Sequence, residues 1–129
     1  MLRPPRRPSP AKLPAPPALT PIAFAHDIVQ AYAQADRDPA PALAAAQITP
    51  SQLKKADARI TAPQLETLSA HAMRELDDEA LGWFGRRLPW GSYGMLARAS
   101  LTAPTLGLAL ARWCRHHALL TDDITLRLD

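Results

Sequence analysis

Apolar residues recur at helical spacing through most of this chain, and the punctuation between the runs is that of short helices. Thr20 with Pro21 at the first helical position opens a segment to about Asp36, where Ile22, Ala25, Ile28, Val29, Tyr32 and Ala33 form one face. Asp38-Pro39 starts an Ala-rich helix through about Gln47, and Thr49-Pro50 opens a short turn over Ser51 to Lys55. Thr61 and Gln64 have the Thr-x-x-Gln spacing of a capping box, in which each side chain satisfies an orphan donor of the first turn. The helix beyond, to about Leu76, carries Leu65, Leu68, Ala72 and Met73 on one side. Asp77-Asp78 reads as the cap of a helix from Glu79 to Arg87, with an acidic start and a basic end. Ser92 caps a helix to about Leu101, and Pro104 starts a last one over Thr105 to about Leu120.

Beyond Thr121-Asp122-Asp123 the period changes to two. Ile124, Leu126 and Leu128 alternate with Thr125 and Arg127, the signature of a half-buried strand. A strand needs partners for its backbone donors and acceptors, and no second one is legible. The expectation is therefore a mainly α chain: six or seven short helices followed by one β-strand, the front part of an α+β domain that is incomplete at its C-terminus.

Composition separates a tail from this body. Residues 1–21 hold eight of the fourteen prolines and four basic residues (Arg3, Arg6, Arg7, Lys12), with no acidic one. Proline fixes φ and lacks a donor, so this stretch reads as a disordered tail. The chain carries +3 and the tail supplies +4, which leaves residues 22–129 at −1. The basic balance thus belongs to the tail, which reads as a solubilising leader or a mis-assigned start ahead of a weak phosphate or lipid contact. The body offers no basic recognition face, and specific DNA binding by this chain alone is not expected. Cys114 is the only cysteine, no signal-peptide core is present, and no apolar run approaches a membrane span. These features point to a cytoplasmic chain without membrane attachment.

The chemistry-bearing residues suggest no enzyme, no cofactor and no metal. His116 and His117 are adjacent, point about 100° apart on a helix, and cannot share an ion. His117 lies on the stripe Leu106–Leu110–Trp113–His117–Leu120, and His116 faces outward with Arg112 and Arg115. His117 reads first as a core-edge imidazole and second as a polar contact in an apolar pocket. Cys114 reads as a buried structural thiol, and Asp77-Asp78-Glu79 as capping charge. Trp83, Trp90, Tyr93 and Trp113 crowd into thirty-one positions, as core or as the walls of a pocket for a small organic ligand. Arg98, within Met95–Ala99, is an exposed residue or a carboxylate contact. The candidate ligand-binding set is Trp90, Tyr93, Arg98, Trp113 and His117.

Several landmarks then combine. They are Asp57-Ala58-Arg59-Ile60-Thr61, the Asp77…Leu81-Gly82 step, Trp90-Gly91-Ser92-Tyr93-Gly94-Met95-Leu96, Ser100 to Leu110 with its Ala103-Pro104-Thr105-Leu106-Gly107 core, and Arg115 to Leu120. Over Ile22 to Asp129 the chain resembles the N-terminal, arabinose-binding-like ligand-sensing domain of AraC-type transcriptional regulators. The resemblance implies a small-molecule effector, a homodimer or a full-length regulator as partner, and a helix-turn-helix DNA-binding domain that this chain lacks. Ala97-Arg98 stands where the family commonly has Gly-Tyr, so no particular effector carries over. The alternative is a stand-alone interaction module that associates with a full-length regulator through its edge strand.

Overall fold

The computed structural model describes residues 18–129. Its elements are two three-residue strands, β1 (Leu19–Pro21) and β2 (Arg59–Thr61), and six helices. The helices are α1 (Ala23–Gln34), α2 (Ala40–Ala45), α3 (Pro50–Leu53), α4 (Ala62–Glu75), α5 (Ser92–Leu101) and α6 (Leu106–His117). The chain is mainly α, as the periodicity indicates.

Three of the six helix starts follow the capping chemistry; α1 does not open at Thr20-Pro21, which lie in β1, and neither its N-cap Ile22 nor the α2 N-cap Pro39 makes a side-chain cap bond. Thr61 Oγ1 accepts from the Gln64 backbone N–H while Gln64 Oε1 accepts from the Thr61 N–H, so both arms of the expected box are closed. Thr49 and Gln52 build a second box at α3. Thr105 caps α6 by accepting from the Leu108 N–H. Gly91, not Ser92, is the N-cap of α5; its φ of 98° suits a residue without a Cβ.

Three expectations need correction. Residues 79–87 form successive turns instead of a helix. Leu81 and Gly82 sit at φ 51° and 77°, which breaks helical continuity, and the Asp78 carboxylate draws the local N–H groups onto itself. The strand expected over Ile124–Leu128 is also absent: those residues are irregular and exposed. Alternation supplies a face for a sheet, but a strand exists only where a neighbour takes its backbone groups. Finally, the tail reading takes in Leu19–Pro21, which the structure places in β1. They pair antiparallel with β2 in the register Leu19↔Thr61, Thr20↔Ile60 and Pro21↔Arg59. Pro21 is tolerated because this is the end of a two-stranded edge. The remainder of the tail, residues 1–17, lies outside the described residues.

The core sits between α1, α2 and α4 with β2 beneath. Ile22, Ala25, Ile28, Ala31 and Tyr32 meet Ala42, Ala46, Ile48, Ile60, Leu68, Ala72, Leu76 and Leu81. Alanines at the contacts let the helix backbones approach. The Tyr32 hydroxyl donates to Glu75 at the end of α4, so the one buried phenol of this core is satisfied. Leu81 carries the core into the following turns, and Gly82 lies so close to α1 that a Cβ there would come within 3.1 Å of Gln34 Oε1. From this platform the chain passes through residues 76–91 into the α5–α6 hairpin.

Candidate functional site

The hairpin is held to the platform by consecutive carboxylates. Asp78 is buried; its Oδ1 accepts from the Ala80 and Leu88 N–H groups and its Oδ2 from the Gly82 N–H, each at 2.9 Å. Glu79 accepts from the Gly91 N–H at 2.7 Å and the Tyr93 N–H at 2.8 Å. It therefore places negative charge on the N-terminus of α5, where orphan donors and the helix dipole favour it. Asp77 accepts from the Trp90 N–H at 2.9 Å. The helix expected over 79–87, with Asp77-Asp78 as its cap, does not form; the acidic run instead binds the backbone donors of the turns and of the start of α5.

The far end of the hairpin is tied by Arg86 and Asp123. Arg86 donates to the Leu120 and Leu119 carbonyls, both at 2.6 Å, and so satisfies acceptors just beyond α6. Asp123 accepts from the Gly85 N–H at 2.9 Å and from the Thr121 hydroxyl at 2.7 Å. Those two hydrogen bonds, Thr121 first, lower the Asp123 pKa. Around them lies an open concavity of about 500 Å³ lined by Gly85, Arg86, Ala118, Leu119, Thr121, Asp122 and Asp123.

Of the five candidate ligand residues, three converge between α5 and α6. The Tyr93 and Trp113 rings stack with centroids 6.2 Å apart and an interplanar angle of 16°. Tyr93 also meets His117, with ring centroids 5.9 Å apart and its hydroxyl 3.4 Å from Nε2. Burial, and then the nearby Glu79 charge, raise the Tyr93 pKa above the usual phenol value. His117 is 4 % exposed, and its Nδ1 has no hydrogen-bond partner. Whichever tautomer the imidazole adopts, one buried ring nitrogen is unsatisfied, a cost that native structures seldom carry without cause.

The other two candidates stand apart. Trp90 is about half exposed and lies 5.1 Å below the Arg74 guanidinium, at the end of α4. Arg98 is exposed on the outer side of α5, with its guanidinium near Gly94. His116 is not a simple outward residue, since its Nδ1 is buried without a partner. Cys114 is half-buried. Asp78, Glu79 and Arg86 are the residues whose roles spacing does not disclose. Three consecutive acids before a glycine-containing, proline-ended stretch were the available signal, because such a stretch has many backbone donors to satisfy.

Among the described residues, no helix is long and apolar enough to cross a membrane, and no cluster of three or more His, Cys, Asp or Glu side chains is placed to hold a metal ion. No curated protein and no solved structure gives a match. A family model does: residues 37–129 match the N-terminal arabinose-binding domain of AraC transcription regulators. That span takes in α2 through α6, the acidic turns and the Tyr93–Trp113–His117 cluster, and the chain belongs to this family of regulatory ligand-binding domains.

Proposed function

We propose that this chain is the effector-sensing and dimerising portion of a cytoplasmic AraC-type transcription regulator, and that its small-molecule effector engages Tyr93, Trp113 and His117. The observation that carries the site is the unpartnered Nδ1 of buried His117 beside a stacked aromatic pair. Aromatic walls with one well-placed polar group are what a pocket for a small organic ligand requires. An effector that hydrogen-bonds His117 removes the desolvation cost of that nitrogen, and so binds one hairpin arrangement better than another. That difference in affinity is what a sensing domain needs to shift a population.

Thermal unfolding of the full chain against a panel of amino acids, pentoses and aromatic carboxylates tests the reading. An effector should raise Tm in the parent and lose at least about tenfold in affinity in H117A and Y93A, the equivalent of about 1.4 kcal/mol. A hit unaffected by both substitutions places the effector elsewhere. Gel shifts with the family's promoter DNA should give no sequence-dependent complex.

A second reading is favoured by one observation: Ile124, Leu126 and Leu128 are exposed on an irregular stretch that, among the described residues, pairs with no strand. Such a stretch is suited to adding a strand to a full-length regulator. Mixing the chain with a full-length regulator, followed by light scattering, should yield a mixed complex under this reading, and unchanged separate species eliminate it.

A further inference from the structure

The outer face of α6 has a pattern that neither effector binding nor the core explains. Leu108, Arg112, Arg115 and Leu119 follow one another at intervals of four, three and four, so they share one side of the helix and its final turn. Leu108, Arg115 and Leu119 are exposed, Leu119 by 73 %, and the small residues Ala111 and Ala118 beside them are exposed too. The stripe is held in place. Arg112 Nη1 donates to Thr102 Oγ1 at 3.3 Å, and Arg86 fixes the Leu119 carbonyl. Residues 92–121 contain three arginines and no acidic residue, whereas residues 22–129 together carry −1, so the positive charge is local to this hairpin.

We propose that this face is a docking surface for an acidic amphipathic helix of another protein, one carrying two carboxylates between two apolar side chains. Leu108 and Leu119 lie about 16 Å apart along the helix, three turns, which is the length over which one helix packs on another. The two arginines between them supply charge complementarity at the centre of the contact. A second copy of this chain fits poorly, because the stripe is symmetric about its midpoint. Antiparallel packing on itself sets Arg112 of one copy against Arg115 of the other. Duplex DNA leaves the flanking leucines unused, and an anionic bilayer needs a broader apolar face than two leucines and two alanines.

The probe is a capped synthetic helix with leucines at positions i and i+11 and glutamates at i+4 and i+7, labelled for fluorescence anisotropy and titrated with the full chain. Binding should weaken as ionic strength rises, and should drop at least about tenfold in the double variant Arg112→Glu/Arg115→Glu. A peptide with lysines in place of the glutamates should bind that variant and not the parent. This charge exchange separates docking from a folding defect, and circular dichroism of the variant provides a second check. Equal binding of the glutamate peptide to parent and variant overturns the proposal. So does parent dimerisation abolished by L108S, or tighter binding to duplex DNA or anionic vesicles than to the peptide.

Discussion

The platform of α1 to α4 and the α5–α6 hairpin are built to different rules. In the platform, most large apolar side chains of α1 to α4 point inward, with Phe24 the exception at 44 % exposed; Leu68 and Ile60 are fully buried, and the capping boxes at α3 and α4 are closed. In the hairpin, a histidine, a serine and a threonine (His117, Ser100 and Thr121) are buried. Leu101, Leu106 and Leu119 are meanwhile 79 %, 76 % and 73 % exposed. Ser100 returns its hydroxyl proton to the Leu96 carbonyl, the local bond that a buried serine uses when no other partner is near. The platform sequence is accounted for by its own stability. The hairpin sequence is not, and that surplus of misplaced polarity and uncovered leucine is where function is to be sought.

The sharpest break of this contrast uses leucine in both regions. Leu68→Ala empties a closed site between helices and should cost about 2–4 kcal/mol, whereas Leu106→Ala removes surface already in water and should change stability by under about 0.5 kcal/mol. Urea unfolding of both variants measures this. Similar losses would mean that the hairpin leucines are covered in solution, most simply by another molecule.

The joint between the regions ranks next. Asp78→Ala strands the buried Leu88 N–H together with those of Ala80 and Gly82, and should cost about 3 kcal/mol. Hydrogen exchange at Leu88 should quicken more than exchange in α1. Asp78→Asn should recover part of the loss, since an amide oxygen still accepts while its NH₂ meets donors.

What could be read from sequence divides along the same line. Caps and periodic faces are local, so Thr61–Gln64 and the Ile28, Leu68 and Ala72 contacts are legible directly. The turns at 79–87 are not, because Leu81 in a left-handed conformation is stabilised by a carboxylate three residues earlier and by packing on α1. The β1–β2 pair escapes because three residues give no measurable alternation, and Ile124–Leu128 misleads because alternation alone does not provide a neighbour. At the candidate site, Tyr93, Trp113 and His117 follow from helical faces that turn toward each other. Arg98 and Trp90 share their sequence neighbourhood but not their side of the structure.

His117 gives a smaller effect of unusual sign. Replacing the imidazole by leucine removes an unsatisfied buried nitrogen and keeps apolar volume, so H117L should leave stability within about 1 kcal/mol of the parent, or raise it. A loss well beyond that would show that Nδ1 has a partner in solution and remove the reason for placing an effector there. Effector binding, in contrast, should fall, and opposite movements of stability and affinity are the mark of a side chain kept for recognition.

The smallest expected effect lies at the distal tie of the hairpin and depends on pH. Asp123 receives hydrogen bonds from Thr121 and from the Gly85 N–H, and these lower its pKa below that of the unfolded chain. A depressed carboxylate contributes stability above its unfolded pKa, about 3.9, and that contribution disappears as pH falls through the folded value. Acid should therefore release the turn at Gly85 from the end of α6 before it disturbs the platform. Exposure and solvent screening keep the energetic change small, so a local readout is required. In an NMR titration the Gly85 amide should shift upfield on acidification with a midpoint below that of an unfolded aspartate, while the Ile60 amide stays in place. Asp123→Asn should abolish this titration at Gly85. A Gly85 midpoint at or above the ordinary aspartate value, or one unchanged in D123N, would show that Asp123 does not make this tie in solution.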